Sequence, residues 1–304
     1  MQIGLIGLGK MGANMVSRLR AGGHQAAVWD LSPETVAEIA AGDEGVVAAR
    51  DPEHLCSLLP APRIIWVMVP AGDATRTTLE KLGGLLSAGD VVIDGGNSRY
   101  TDTMRLAVTL ADHGIHLLDA GTSGGIWGRE QGYCLMVGGP EQAFATVEPI
   151  LKTLAPPQGY AHVGPVGSGH YVKMVHNGIE YAMMQAYGEG FELLKEGPFP
   201  VDTAQVAKLW GQGSVIRSWL LELAATALER NPDLKDIKGW VADSGEGRWA
   251  VEEAINQAVA VPALAQALFA RFNSRRPDAF SLRLIAALRD EFGGHGTRSA
   301  DQGD

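Results

Sequence analysis

From the N-terminus to about residue 163, short apolar runs alternate with stretches in which apolar positions recur every three or four residues. The runs are QIGLIG, HQAAVW, RIIWVMV, DVVIDGG, IHLLDAG, YCLMVGG and GYAHVG, separated by segments such as PETVAEIAA and RYTDTMRLAVTLADHG. Runs of this length read as buried strands and the segments between them as helices. The expected fold class is therefore α/β, a Rossmann-type, doubly wound and mostly parallel sheet. After Gly169 the strand pattern stops. Residues 170–195, 203–211, 214–230, 249–260, 262–272 and 281–291 read as helices, punctuated by GPFP, NPD, SGEG and RRPD. An all-α C-terminal domain entered by one long helix is expected, with domains at 1–164 and 165–304. The polar, glycine-rich ending GGHGTRSADQGD reads on its own as a frayed tail.

Length and composition agree with two domains: 304 residues, 46% hydrophobic, can bury a sizeable core. A formal net charge of -10 argues against nucleic acid and against an anionic membrane face as partners. An anionic substrate would need a locally basic site. Cys56 and Cys134 are too few for a disulfide framework and are not spaced as a metal knuckle, which points to a reducing compartment. No basic leader precedes MQIGLIGLG, and no apolar run reaches the roughly 20 residues that span a bilayer, so the cytoplasm is expected.

The first candidate chemistry follows the first strand. Gly7-Leu8-Gly9-Lys10-Met11-Gly12 is a G-x-G-x-x-G between strand IGLI and a helix expected from Met11. Gly7 would make the tight turn, Gly9 admit a pyrophosphate to the backbone, and Gly12 let helix and sheet pack closely. Asp30 ends the next strand, where an acidic residue accepts from the adenosine ribose 2'-hydroxyl and repels a 2'-phosphate. No arginine follows in LSPET, so NAD is favoured and NADP is the less favoured alternative.

Val69-Pro70-Ala71 and Asp94-Gly95-Gly96-Asn97-Ser98 lie just past the ends of later strands, where ligands sit in open α/β sheets. Asn97 reads equally as a ligand contact and as turn chemistry. Ser123-Gly124-Gly125 belongs to a glycine-rich loop whose N–H groups suit an anion as well as a plain turn.

The segment GHYVKMVHNGIEY, residues 169–181, carries a second kind of signal. At about 100° per residue, Lys173, His176, Asn177, Glu180 and Tyr181 fall within an arc of roughly 140° on a helix that is otherwise apolar or glycine from Val172 to Met183. A wet outer face is the commonest source of such a stripe. The mixture of Asn, His and Tyr and the breadth of the apolar arc favour a substrate cleft instead.

These residues, with GLGKMG, DGGNS and TSGG upstream and SGEGRW, LFARFNS and LRDEFGGH downstream, resemble the decarboxylating 6-phosphogluconate dehydrogenases, in the wider β-hydroxyacid dehydrogenase group. The resemblance runs almost to the end of the chain and is to the short form of that family. It implies oxidation of the C3 hydroxyl of 6-phosphogluconate, loss of C1 as carbon dioxide and release of ribulose 5-phosphate, without a metal. Lys173 would be the base and Glu180 the general acid that protonates C1 of the enediol left by decarboxylation. Lys173 would have to be neutral to act, which burial or a nearby positive charge favours.

His176 and Asn177 would orient hydroxyls and carboxylate; Ser123, Gly124 and Gly125 would hold the carboxylate end, and Asn97 would contact cofactor and substrate. Tyr181, Arg248 and Arg271 would bind the phosphate, with arginine at 248 where many members carry lysine. Arg289 and His295 fall on a tail motif that in relatives reaches a neighbouring subunit, implying a homodimer or homotetramer. Two rivals remain: another β-hydroxyacid dehydrogenase, such as one acting on 3-hydroxyisobutyrate, and a non-catalytic NAD-sensing protein.

Overall fold

Eight short strands pair into one sheet in the computed structural model, which describes residues 1–276 and 278–293. They are β1 (Gln2–Ile6), β2 (Gln25–Trp29), β3 (Val46–Ala48), β4 (Ile64–Val67), β5 (Val91–Asp94), β6 (His116–Ser123), β7 (Cys134–Gly138) and β8 (Tyr160–Gly164). Their order is β3-β2-β1-β4-β5-β6-β7-β8. Every adjacent pair is parallel except β6 with β7. Successive side chains of a strand point to opposite faces, so a strand covered on both sides needs an unbroken apolar run. In β4, Ile64 and Trp66 join one core with Leu5 and Val137, while Ile65 and Val67 join the other with Leu55 and Leu117.

The chain direction across the sheet reverses between β1 and β4, and the loops leaving those two strands open a crevice at their C-terminal ends. The short strand β3 was not among the apolar runs, and its Val47 and Ala48 are exposed; β7 was, as YCLMVGG, but its antiparallel direction was not apparent.

The long helix Ser168–Lys195 begins where it does because β6 caps it. Asp119, fully buried, accepts from the Gly167 N–H through Oδ1 and from the His170 N–H through Oδ2, both at 2.7 Å. A carboxylate there satisfies helix donors that otherwise lack partners and complements the positive end of the helix. Helix and strand also touch backbone to backbone. A Cβ on Gly121 would lie 2.5 Å from Lys173 Cβ and 2.7 Å from the Gly169 carbonyl oxygen.

The chain divides into two compact units, Met1–Asn177 and Gly178–Asp304, with the division inside this helix. The second unit holds the helices Thr203–Gly211, Trp219–Arg230, Glu246–Asn256, Pro262–Ser274 and Phe280–Gly293. Two helices depart most from the sequence reading. Residues 214–218 are not helical: Ser218 caps from outside by accepting the Leu221 N–H, and Val215 is 99% exposed. The helix expected at 249–260 starts at Glu246, behind Gly245, and stops at Asn256. Ala258 turns left-handed (φ 55°) and the Val259 N–H closes on the Ala254 carbonyl.

Candidate active site

The loop after β1 has the geometry its glycines require. Gly7 sits at φ 92°, and a Cβ on Gly12 would collide with the Gly7 carbonyl oxygen. Gly9 precedes the helix Lys10–Ala21, whose first turn has no side-chain cap, and nothing lies within 4 Å of where a Gly9 Cβ would stand. An uncapped N-terminus with open space before it is an anion site by construction. Asp30 is fixed beside it, one carboxylate oxygen accepting from the Leu8 N–H (2.6 Å) and the other from the Ser32 N–H (2.9 Å). A carboxylate has about four lone-pair positions, so acceptor capacity remains for a ribose hydroxyl.

These groups line a cleft of about 930 Å³. Of the residues the sequence assigned to the cofactor, Gly7, Gly9, Lys10, Met11, Gly12, Asp30, Val69, Pro70 and Asn97 line it. Leu8 is instead buried, with its N–H on Asp30, and Ala71 is exposed outside the lining. The sequence reading missed Ala74, Thr77, Thr78 and Lys81, which line the cleft from the helix Asp73–Gly83. Their three-to-four-residue spacing on the helix after Val69-Pro70 was the available signal.

A hydrogen-bonded group of side chains surrounds the start of the long helix. Asn177 Oδ1 accepts from Lys173 Nζ at 2.7 Å and from His176 Nδ1 at 2.8 Å. With its Nδ1 donating to Asn177, the His176 ring turns Nε2 toward Ser123 Oγ, 3.4 Å away. The wet-face explanation of the polar stripe does not hold. Lys173 (5%), Asn177 (8%) and Tyr181 (4%) are buried, whereas apolar Val172 (38%) and Ile179 (50%) are exposed.

Asn97 resolves toward its turn role in part. It sits left-handed at φ 51°; its Nδ2 donates to the Thr122 carbonyl (3.1 Å) and its Oδ1 accepts from the Thr122 N–H (2.9 Å). The loop after β5 is thereby pinned to the end of β6 beside Ser123. Gly124 (φ 128°) and Gly125 (φ 54°) follow at the turn into a short 3-10 segment.

Within the second unit, Tyr181, Arg248 and Arg271 come together. The Arg271 guanidinium lies 3.3 Å from the Tyr181 ring centroid and donates to the Ala242 carbonyl at 2.8 Å. Tyr181 Oη meets Ser244 Oγ at 2.9 Å. Arg248 pairs with Asp243, a residue the sequence reading passed over, through Nη2 at 2.5 Å. Burial pushes the Asp243 carboxyl up, but the hydrogen bonds from Arg248 and the Gly245 N–H and the charges of Arg248 and Arg275 outweigh it and hold the group below its ordinary value. Arg289 is exposed on the helix Phe280–Gly293, and His295 lies outside the described residues.

Comparison with known proteins adds a family to this geometry. Residues 2–164 match the model of the NAD binding domain of 6-phosphogluconate dehydrogenase. Residues 169–279 and 199–304 match that of the 6-phosphogluconate dehydrogenase C-terminal domain. The NAD(+)-dependent, decarboxylating 6-phosphogluconate dehydrogenase of Haloferax volcanii is 50% identical over 97% of this chain and 98% of its own length. A putative 6-phosphogluconate dehydrogenase of Bacillus subtilis, YqeC, is 46% identical over 98% and 99%. Among solved structures, Plasmodium falciparum 6-phosphogluconate dehydrogenase matches with a TM-score of 0.84 at 29% identity, covering all of this chain and 67% of its own.

Proposed function

The chain belongs to the 6-phosphogluconate dehydrogenase family, and on that footing we propose that it converts 6-phosphogluconate and NAD to ribulose 5-phosphate, carbon dioxide and NADH. The observation that carries this reading is the 50% identity, over nearly the whole chain, to an NAD-dependent decarboxylating member. The glycine loop, the open helix N-terminus and the anchored Asp30 suit a dinucleotide with a free ribose 2'-hydroxyl. When bound, NAD supplies the acceptor for the hydride that leaves C3.

Lys173 takes the proton of the C3 hydroxyl. Its side chain is buried, an environment that favours the neutral amine this step needs. The resulting ammonium donates to the new C3 carbonyl oxygen and makes it the electron sink for loss of the C1 carboxylate as carbon dioxide. Glu180 then protonates the enediol at the carbon that lost the carboxylate, C2 of the substrate and C1 of ribulose 5-phosphate. Asn177, His176, Asn97 and the Ser123-Gly124-Gly125 turn orient the carboxylate and hydroxyls, and Tyr181, Arg248 and Arg271 hold the phosphate. Charge-assisted bonds of this kind are what offset desolvation of a phosphate. A small hydroxy acid would have no use for the two arginines, and a non-catalytic NAD sensor none for Lys173 and Glu180.

The same reading makes the enzyme a cytoplasmic homodimer or homotetramer serving the pentose phosphate pathway or gluconate use. Arg289 and His295 would complete a neighbouring subunit's site. The deciding experiment measures kcat/KM with NAD and with NADP on 6-phosphogluconate while collecting carbon dioxide. One carbon dioxide per NADH, with NAD preferred, is expected; equal turnover of 3-hydroxyisobutyrate, or NADH without carbon dioxide, would overturn the reading.

A further inference from the structure

The two arginines given to the phosphate are anchored differently. Arg271 spends one nitrogen on the Ala242 carbonyl and stacks on Tyr181. Arg248 spends an entire edge, Nε at 3.2 Å and Nη2 at 2.5 Å, on a single oxygen, Oδ2 of Asp243. The other oxygen of Asp243 accepts from the Gly245 N–H at 3.0 Å, so the carboxylate is held from both sides. Its side chain is 3% exposed against 48% for Arg248. One end of the pair is thus a buried, fixed anion and the other an accessible cation. Phe272 adds a ring 4.9 Å from the Arg248 guanidinium carbon.

A guanidinium has five N–H donors in a rigid plane. With the Nε and inner Nη2 donors facing Asp243, the Nη1 pair and the outer Nη2 donor remain, fixed in direction by the anchored edge. A lysine in the same place is a single charge centre. Beside a buried carboxylate its ammonium would be drawn into the pair and would offer little to a second anion.

We infer that Asp243 is a positioning residue of the phosphate site: by binding one edge of Arg248 it aims the other at the phosphate, and it thereby restricts position 248 to arginine. The inference rests on the reading that Arg248 meets the phosphate. It also separates two jobs that one positive charge would otherwise share, since the inner edge secures the fold around Gly245 and the outer edge binds ligand.

The test uses Arg248→Ala, Arg248→Lys and the double variant Asp243→Asn/Arg248→Lys, each assayed for KM and kcat with 6-phosphogluconate and for inhibition by inorganic phosphate. Arg248→Lys keeps the buried carboxylate paired, so its fold is secure, and melting curves check the double variant. Arg248→Lys should raise KM about tenfold or more, weaken phosphate inhibition in parallel, and change kcat far less. The double variant should recover most of that loss, because its lysine is no longer captured; a purely structural role for Asp243 gives no such rescue. If Arg248→Ala raises KM but Arg248→Lys matches the parent protein, or the double variant binds no better than Arg248→Lys, the inference is overturned and the phosphate reading stands. If Arg248→Ala leaves KM unchanged, the phosphate reading falls and the inference with it.

Discussion

Lys173 and Asn177, one helical turn apart, are joined by a 2.7 Å hydrogen bond from Nζ to Oδ1, and both side chains are buried. The bond fixes where a four-carbon chain with many rotamers presents its nitrogen. Replacing Lys173 with Met keeps the length and apolar volume and removes the nitrogen. Lys173→Met is expected to lower kcat for NADH formation by about a thousandfold or more, in the range found for loss of a positioned acid or base. Glu180→Gln should leave oxidation faster than product formation. Rapid-quench measurement of NADH and ribulose 5-phosphate in one time course checks both, and unchanged rates in either variant would refute its assigned role.

Asp30 should govern the choice of dinucleotide. Its carboxylate is anchored by the Leu8 and Ser32 N–H groups, so its charge cannot swing away from a 2'-phosphate. Asp30→Ala should lower kcat/KM for NAD by about ten- to a hundredfold, the worth of a hydrogen bond to a charged group, and should narrow the gap to NADP. Steady-state kinetics with both dinucleotides read this out; an unchanged NAD/NADP ratio would remove Asp30 from specificity.

The two thiols should react very differently. Cys56 is buried, and that burial pushes its thiol up to about 11, so almost no thiolate forms near neutral pH. Cys134 is exposed. Iodoacetamide at pH 8 should therefore label the native protein once, at Cys134, and reach Cys56 only in denaturant. Peptide mass mapping gives the answer, and native labelling of Cys56 would contradict it.

Stability should depend on pH through His24. Burial, and then the charge of the N-terminus, lower its pKa below 6.5, and its Nε2 meets Thr153 Oγ1 at 2.8 Å. A depressed folded pKa means that the unfolded chain takes up the proton first. The contribution is complete above pH 6.5 and is lost as pH falls through the folded value. Melting temperatures recorded between pH 8 and pH 5 should fall less steeply for His24→Gln than for the parent protein; parallel curves would count against this.

The nucleotide loop was legible in the chain because its glycines act locally: φ 92° at Gly7 and the missing Cβ at Gly12 are requirements of the turn itself. The polar stripe from Lys173 to Tyr181 was legible as a pattern. Periodicity cannot say which side of a mostly apolar helix faces inward, and here the exposed Val172 and Ile179 reverse the ordinary expectation. Partners supplied from a distance were not legible. Asp119 caps a helix that starts dozens of positions later, Asn97 clasps the Thr122 peptide, and Asp243 sits one motif away from the arginine it holds. Each is a short polar residue whose identity alone reads as a turn or a surface charge.

Gly121 has a wider bearing. Its missing Cβ lets the β6 backbone rest directly against the first turns of the long helix, so the Lys173 stem stands against main chain of the sheet. Any residue other than glycine at 121 would therefore have to push strand and helix apart, carrying the Lys173 stem away from the sheet.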